Sequence, residues 1–397
     1  MQGGARSEMS DGATAVLGRV RTLVADFLIP AEADCDETQS VPVLLMQRIR
    51  ESGVFGMSVP KEYGGLGLSM CEQTQLLFEF CRAAPGYRTV LAATVGLGSK
   101  AILVSGTPTQ KDSWLPKIAA GETIVSFCLT EPTSGSDAAA LQTTATRDRN
   151  GWVINGSKRF VSNAGIAQLF IVLARTSEKN VSAFLVDADT AGINVSPAWK
   201  KMGQRASRVH DVEFKACRVP YVSLLGDIEG QGFKTALMAL DDGRIHMAAV
   251  AVGVSRRLMD ESVGYALSRQ QFGKPIAEFQ LIQAMIADGE ADLRAAQALV
   301  EKTALSRDMG ENVTLDAASC KYFSTEALWR IADRALQIHG GLGYVSETAV
   351  ERLFRDSRIF RILDGTSQIM QLVIAREVMK NYISATKGGK HAHTRKT

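Results

Sequence analysis

The stretch Cys128–Ala140, CLTEPTSGSDAAA, is the most informative part of this chain. A short apolar segment leads to Thr130 and Glu131, and a proline then opens a loop of Ser, Gly and Thr residues that ends at Ser136 and Asp137. Residues of this kind turn the backbone sharply and present N–H groups and hydroxyls, which suits a flat polar ligand carrying phosphates. On its own the loop is weak evidence, because most stretches of this composition are ordinary turns.

The composition describes a globular protein of two or three packed units. The 397 residues are 46% hydrophobic and 22% charged, and the formal net charge is +3. The stretch 387–397 holds four Lys and Arg residues and no acid, so the rest of the chain has no positive surplus. This distribution argues against a nucleic-acid surface on the folded part. We expect a disordered basic tail over 386–397.

The cysteines and the apolar runs indicate the compartment. Six cysteines are scattered without CxxC spacing, which is typical of reduced packing residues, and no metal site is expected. Charged residues interrupt any signal pattern near the N-terminus, and no uncharged apolar run reaches the roughly 18–20 residues needed to span a bilayer. We therefore expect a cytoplasmic protein without membrane insertion.

The spacing of apolar residues changes twice along the chain. It is helical from about Thr14 to Gly121, and from about Gly230 it is helical again, with a last helix near Thr366–Ser384. Between them lie short segments rich in Val, Ile, Thr and Phe, with hairpin-turn signals at Asn150-Gly151 and Asn155-Gly156. The pattern predicts a helical N-terminal domain over 1–122, an antiparallel β-barrel or sandwich over 123–228 and a C-terminal four-helix bundle over 229–385.

The Cys128–Ala140 loop resembles the flavin-binding signature of the acyl-CoA dehydrogenase family, in which Thr-Glu-Pro is followed by two mostly small residues and then Gly-Ser-Asp. A second family signature is similar to Gln337–Tyr344, QIHGGLGY. Its glycines are not a dinucleotide fingerprint, because a helix rather than a strand precedes them; a helix C-cap is their plainer interpretation. The order of helical, β and helical domains is also the layout of this family.

The resemblance implies FAD as the cofactor. Arg269 would pair with the pyrophosphate and Phe272 would pack on the adenosine, as in the family's Arg-x-x-Phe-Gly. Phe160 would stack against the isoalloxazine, where relatives usually have Trp. The full set of cofactor-binding residues implied by the family motifs is Leu129, Thr130, Gly135, Ser136, Phe160, Ser162, Arg269, Phe272, Gln280, Gln337, Gly340, Gly341, Thr366 and Gln368. In relatives the Gln337 region contacts the FAD of a neighbouring subunit, which implies a homo-oligomer, either a dimer or a tetramer.

The reaction that the resemblance implies is removal of the proton α to a thioester carbonyl, with the β-hydride passing to flavin N5. Relatives carry the base on a Glu-Gly-Thr tripeptide before the final helix, and here that tripeptide is Asp364-Gly365-Thr366. A minority place it one residue before an Arg that corresponds to Arg244, a position that is Gly243 here. Asp364 is therefore the candidate base. Taken alone, this residue could equally be a helix cap.

The substrate side leaves alternatives open. Ser136, Asp241, Arg244 and Gly365 are the implied substrate-binding residues, although Asp241 and Arg244 could also be a simple i,i+3 helix pair. The stretch Arg208–Asp211 departs from the family pattern near the substrate entrance. The acyl group could therefore be carried as a thioester of coenzyme A or of an acyl-carrier protein.

These observations predict an FAD-dependent acyl-CoA dehydrogenase that passes electrons to an electron-transfer flavoprotein. One alternative is an acyl-carrier-protein dehydrogenase of specialised (polyketide or nonribosomal) metabolism. Others are an Asp-dependent flavin oxidase, as in the related nitroalkane oxidases, and a flavoprotein without turnover.

Overall fold

The N-terminal part of the protein is helical. The computed structural model describes residues 9–392. Two helices begin with capping boxes, one formed by Ser69 with Glu72 and one by Thr107 with Gln110, as the sequence Ser/Thr-x-x-Glu/Gln favours. The helices are Asp11–Leu23 (α1), Glu32–Thr38 (α2), Val43–Glu51 (α3), Met70–Phe80 (α4), Pro85–Leu91 (α5), Ser99–Ser105 (α6) and Pro108–Ala119 (α7).

A wider helical segment, Ala92–Gly98, joins α5 to α6, so that the helix is continuous over Pro85–Ser105. Its i→i+5 geometry is often found at functional sites. A Cβ on Gly98 would lie 2.7 Å from Val125 Cγ1, so this helix packs closely against the first strand of the middle domain. Pro85–Ser105 is long and apolar enough to cross a membrane, but 61% of its apolar window is buried in the protein, as in a core helix.

The middle domain is a curled seven-stranded sheet. Its strands are Val125–Cys128 (β1), Thr144–Asp148 (β2), Gly151–Ser162 (β3), Leu169–Arg175 (β4), Val181–Asp187 (β5), Ile193–Val195 (β6) and Val209–Pro220 (β7). They are ordered β1-β4-β2-β3-β7-β6, and β5 also pairs with β4. Most pairs are antiparallel, as expected, but β4 is parallel to β1 and, through a single residue pair, to β2. The β1–β4 pairing is possible because the long connection through β2 and β3 returns the chain to the same end of the sheet.

One of the two predicted turns is wrong. Asn150-Gly151 closes the β2–β3 hairpin, as expected. Asn155-Gly156 instead lies inside β3, where the register against β7 shifts between Ile154 and Gly156. A Cβ on Gly156 would lie 2.7 Å from Thr143 Cα, so the glycine is required by a close backbone approach at a bulge.

The C-terminal part returns to helices: Gly232–Ser268 (α8), Gln280–Asp308 (α9), Thr314–His339 (α10), Ala349–Ser357 (α11) and Ser367–Ala392 (α12). A short hairpin of Gln270–Gln271 (β8) and Lys274–Pro275 (β9) precedes α9. The expected order of helical, β and helical domains is confirmed. The final helix continues past the expected end at Ser384 to Ala392, so the backbone over 386–392 is helical rather than disordered; the rest of the predicted tail, 393–397, lies outside the described residues.

The central helix α8 connects the two helical parts. It is buried along most of its length, and a Cβ on Gly253 would lie 2.8 Å from Cys81 Cβ and 2.9 Å from Phe78 O. This close contact with the α4 region brings the N-terminal helices onto the bundle. The segment that follows α11 and precedes α12, which carries Asp364, lies against α10.

Candidate active site

The Ser/Gly-rich loop after β1 folds back on itself. The N–H of Glu131 donates to Ser134 O (2.8 Å), and the N–H of Ser134 donates to Glu131 O (3.2 Å). The Ser134 hydroxyl donates to Asp137 O (2.6 Å), which closes the next turn. The predicted tight turn is therefore held by its own backbone and by one serine.

A buried ion pair anchors this loop to the sheet. Lys158 Nζ on β3 lies 2.8 Å from Glu131 Oε1, and the two side chains are 0% and 3% exposed. The N–H groups of Gln142 and Thr143 also donate to the Glu131 carboxylate, at 2.5 and 3.0 Å. Burial raises the pKa of Glu131, but the Lys158 ammonium and these donors outweigh it and hold the pKa below its usual range. Glu131 is therefore ionised at neutral pH and fixes where the loop leaves the sheet.

The loop and the neighbouring strand offer hydrogen-bonding groups to a ligand. Within residues 9–392, the N–H groups of Gly135 and Ser136 and the hydroxyls of Thr130, Ser136 and Ser162 have no hydrogen-bond partner. Gly135 has open space where a Cβ would stand, with no atom within 4 Å. Such a set of neutral donors on a turn fits the oxygens and ring nitrogens of a flavin cofactor.

Phe160 is an exposed aromatic residue that packs on Trp199, which is itself held by Asp211. The residue is 57% exposed, and its φ of +54° is rare for an aromatic residue. The ring lies 5.8 Å from that of Trp199, centroid to centroid. Asp211 accepts from the Trp199 indole N–H (3.0 Å) and pairs with Arg159 (3.3 Å). The stretch that departs from the family pattern thus supplies, in Asp211, the anchor of an aromatic platform.

Asp364 lies in a left-handed turn before α12. Its φ is +53°, and that of Gly365 is +98°. Non-glycine residues with positive φ are uncommon and cluster at functional sites. The helix-cap interpretation does not apply to Asp364, because Thr366 Oγ1 accepts from Ile369 N (3.1 Å) and caps α12 itself. In the described part of the chain, no hydrogen bond or ion pair engages the Asp364 carboxylate.

Two buried cations flank this turn. Lys321 on α10 donates through Nζ to Gly365 O (2.7 Å), and its side chain is fully buried. Burial lowers the pKa of Lys321 to about 8, although Asp364 opposes the shift. Burial likewise lowers the pKa of Arg88 on α5, and Asp364 is the main opposing charge. Asp364 is therefore oriented by its backbone and placed in the field of two positive charges.

Asp241 and Arg244 lie one turn apart on α8 and form an ion pair of 2.7 Å. Asp241 also accepts from the Thr314 hydroxyl (2.9 Å), whereas Arg244 Nε is buried without a partner among residues 9–392. Arg244 also contributes to lowering the pKa of Lys321, which puts its charge near the Asp364 turn. Arg244 therefore has one guanidinium N–H that forms no hydrogen bond within the described part of the chain.

The residues predicted to bind the adenosine end form a separate, exposed group. Arg269 and Phe272 follow α8, and Phe272 is 92% exposed with a φ of +52°. The end of α10 lies beside them, since the Tyr265 and His339 rings stack at 4.3 Å. Also exposed in this group are Gln280, Gln337, Gly340 and Gly341; Gln368, on α12, is exposed as well.

Several residues near the site escaped the sequence prediction. Arg88, Lys321 and Trp199 carry no motif and are identified only by what the fold packs around them. Lys158 and Glu131 had a visible signal, because Glu131 lies in the predicted flavin loop and Lys158 lies two residues before Phe160.

Family models match the chain in the same three parts, helical, β and helical, that the structure shows. Residues 10–122, 126–217 and 230–379 match the N-terminal, middle and C-terminal domains of acyl-CoA dehydrogenase, respectively. A probable acyl-CoA dehydrogenase, YngJ of Bacillus subtilis, is 39% identical over 91% of this chain and 97% of its own length. An acryloyl-CoA reductase (NADH) of Anaerotignum propionicum is 40% identical over 89% of this chain and 91% of its own.

Solved structures similar to this chain agree with the sequence comparisons. Butyryl-CoA dehydrogenase from Megasphaera elsdenii superposes with a TM-score of 0.91 at 32% identity, covering 94% of this chain and 100% of its own. The prolyl acyl carrier protein oxidase AnaB gives 0.88 at 29% identity, with 94% and 100% covered. An acyl-CoA dehydrogenase from Bacillus anthracis in complex with FAD gives 0.90 at 32% identity, with 96% and 69% covered. FAD is the cofactor of this group. The chain belongs to the acyl-CoA dehydrogenase family and is an oxidoreductase that acts on CH–CH bonds.

Proposed function

We propose that this protein dehydrogenates an acyl thioester between Cα and Cβ, with Asp364 as the base that removes the α-proton. The observation that carries the proposal is the geometry of the Asp364 turn. Thr366 caps α12 in place of Asp364, the Asp364 backbone is in a conformation that non-glycine residues rarely adopt, and two buried cations, Arg88 and Lys321, lie near it. A carboxylate placed in this way suits proton abstraction next to a carbonyl.

The chain's own residues orient the substrate and the base. The Lys321 hydrogen bond to Gly365 O fixes the Gly365–Thr366 peptide, one residue after the proposed base. The Asp364 N–H has no hydrogen-bond partner among the described residues and would bond the thioester oxygen. Arg244 and Asp241 would hold the pantetheine arm, and Ser136 would contact the thioester end. FAD, when bound, would accept the hydride that leaves Cβ.

The cofactor would be held in two places. The donors of Leu129–Ser136, together with Ser162, Thr366 and Gln368, would hold the flavin portion against the Phe160 platform. Arg269, Phe272 and Gln280, with Gln337 and the Gly340-Gly341 turn, would hold the pyrophosphate and adenosine. Because Phe272 is almost fully exposed, we propose that this second group is completed by another copy of the chain.

The experiment is an anaerobic spectral titration of the purified holoenzyme with acyl-CoA thioesters. Loss of the oxidised-flavin absorbance supports the proposal, and Asp364→Asn should abolish it while the flavin content stays unchanged. A spectrum that remains oxidised with every thioester would contradict the proposal.

A second candidate is dehydrogenation of an acyl group carried by a carrier protein. It is supported by the similarity to a prolyl acyl carrier protein oxidase and by the unusual Arg208–Asp211 stretch. Comparing flavin reduction by the same acyl group on coenzyme A and on a carrier protein distinguishes the two substrate classes. Rapid reoxidation by air would favour an oxidase, whereas slow reoxidation would favour transfer to an electron-transfer flavoprotein.

A further inference from the structure

The loop between β6 and β7 connects the middle domain to both helical parts of the protein. A Cβ on Gly203 would lie 2.5 Å from the carbonyl carbon of Arg355, so the loop backbone is in direct contact with α11. The next residue, Gln204, is 6% exposed and has a φ of +47°. A buried glutamine adopts this conformation only where its surroundings hold it.

Asp356, near the end of α11, supplies two of the contacts that hold Gln204. Its carboxylate accepts from the Gln204 backbone N–H, and its carbonyl oxygen accepts from Gln204 Nε2 (3.2 Å). Asp356 is 4% exposed and forms no ion pair with residues 9–392. Burial raises the pKa of Asp356 to about 6, so the group is mostly ionised at neutral pH and makes a charge-assisted hydrogen bond.

The same glutamine is also bonded to α5 in the N-terminal part. The Thr89 hydroxyl donates to Gln204 Oε1 (2.8 Å). The carbonyl oxygen of the following residue, Val90, accepts from Asn163 Nδ2 (3.1 Å). Asn163 directly follows Ser162, the predicted flavin-binding residue at the end of β3. One turn of α5 therefore holds Gln204 and the end of the flavin-binding strand side by side.

Asp356 stands between the two halves of the proposed active site. The candidate base Asp364 and the substrate-binding pair on α8 belong to the C-terminal part, whereas the flavin loop and Phe160 belong to the middle domain. Asp364 follows Asp356 by eight residues, and the segment between them is held on α10 by the ion pair of Arg361 with Glu326 (2.8 Å). The contact of Asp356 with Gln204 thus joins the base-bearing segment to the flavin-binding domain.

We propose that Asp356 is a positioning residue, which acts through Gln204 to set the base and the substrate at the correct distance from the flavin. The inference rests on the proposed function, since it assumes that Asp364 removes the α-proton and that the β-hydride passes to FAD. Removal of the proton chiefly involves groups of the C-terminal part, whereas hydride transfer crosses to the middle domain. Loss of the contact should therefore slow hydride transfer much more than proton removal.

The test compares these two steps in the anaerobic holoenzyme. The first rate is flavin reduction by a saturating acyl thioester. The second is deuterium uptake at Cα of the matching thioester that has sulfur in place of Cβ, which has no β-hydride to transfer. The variants are Asp356→Ala, Asp356→Asn and Thr89→Val. Asp308→Ala is the matched control, because Asp308 also joins two helical segments by accepting from backbone N–H groups, those of Met70 (2.6 Å) and Cys71 (2.9 Å).

We expect Asp356→Ala to reduce its flavin roughly 10- to 100-fold more slowly than the wild type, as for a displacement on the order of 1 Å, while deuterium uptake and flavin content change little. Asp356→Asn keeps an acceptor for the Gln204 N–H and should retain most of the rate. Asp308→Ala should keep the wild-type ratio of the two rates. An unchanged ratio in Asp356→Ala, including an equal fall of both rates, overturns the inference.

A second measurement, on the apoprotein, follows the loop without using the reaction. Asp356→Ala should be cleaved by trypsin after Lys200, Lys201 or Arg205 faster than the wild type, because the released loop becomes accessible. Cleavage at the wild-type rate overturns the inference. If Asp356→Ala does not fold, Thr89→Val provides both measurements, with the same expected directions. Absence of flavin reduction by every thioester in the wild type overturns the proposed function itself, which an unchanged ratio does not.

Discussion

Replacing Lys158 by Met removes one half of the buried ion pair that anchors the flavin loop. The ammonium is 0% exposed and lies 2.8 Å from Glu131 Oε1. In the variant, the Glu131 carboxylate stays buried with only the backbone donors of Gln142 and Thr143. Removing one partner of a buried pair costs roughly 3–5 kcal/mol, because the remaining charge has no compensation. We expect this loss in the free energy of unfolding, together with weaker flavin retention.

The assay is equilibrium urea denaturation of the apoprotein, with flavin content measured after gel filtration of the holoenzyme. Lys179→Met is the control, because Lys179 is exposed and forms no ion pair with the described residues; it should change the free energy by less than about 0.5 kcal/mol. Glu131→Gln combined with Lys158→Met removes both charges and should be more stable than Lys158→Met alone. A single variant within about 1 kcal/mol of the wild type, or a double variant less stable than the single one, would refute the reasoning.

Three further predictions concern other parts of the site. Lys321→Met removes the hydrogen bond to Gly365 O, so the rate of flavin reduction should fall roughly 10- to 100-fold at unchanged flavin content, as expected for a misplaced base; an unchanged rate would argue against this role. The pKa of His246 is lowered from 6.5 to about 4, so the unfolded state binds the extra proton first and stability should fall by roughly 3 kcal/mol as the pH drops from 6.5 to 4. His246→Gln should flatten the dependence of the free energy of unfolding on pH between 6.5 and 4, and a slope identical to that of the wild type would contradict the lowered pKa of His246. Phe272→Ser should reduce the assembled mass measured by light scattering, whereas Val43→Ser, at a similarly exposed apolar residue, should not; equal masses for Phe272→Ser and the wild type would exclude Phe272 from a subunit interface.

The helical parts of the fold were predictable because their signals are local. The helical spacing expected from about Gly230 onward corresponds to α8–α12, since apolar spacing and turn residues define these helices without reference to the rest of the chain. The sheet was less predictable. Asn155-Gly156 carries the same signal as a hairpin turn, and only its contact with Thr143 makes it a bulge. The parallel pairing of β1 with β4 depends on residues far apart in sequence.

The candidate site divides in a similar way. The loop donors and the Asp364 turn were found because they lie within short stretches that resemble family motifs. Arg88 and Lys321 were not, because an arginine or lysine in a helix is usually exposed, and only tertiary packing makes these two buried. Trp199 was missed for a related reason. Asp211 on β7 accepts a hydrogen bond from the Trp199 indole and holds the ring beside Phe160 on β3, and this arrangement exists only in the folded protein.

The most direct test of the central claim is exchange of the substrate α-proton in deuterated water. The holoenzyme is incubated without oxygen with an acyl thioester that reduces the wild-type flavin, and the recovered thioester is analysed by mass spectrometry. If Asp364 is the base, the wild type introduces deuterium at Cα, and Asp364→Asn slows this exchange by on the order of 100-fold or more while retaining its flavin. Exchange by Asp364→Asn at the wild-type rate would contradict the account and move the base elsewhere.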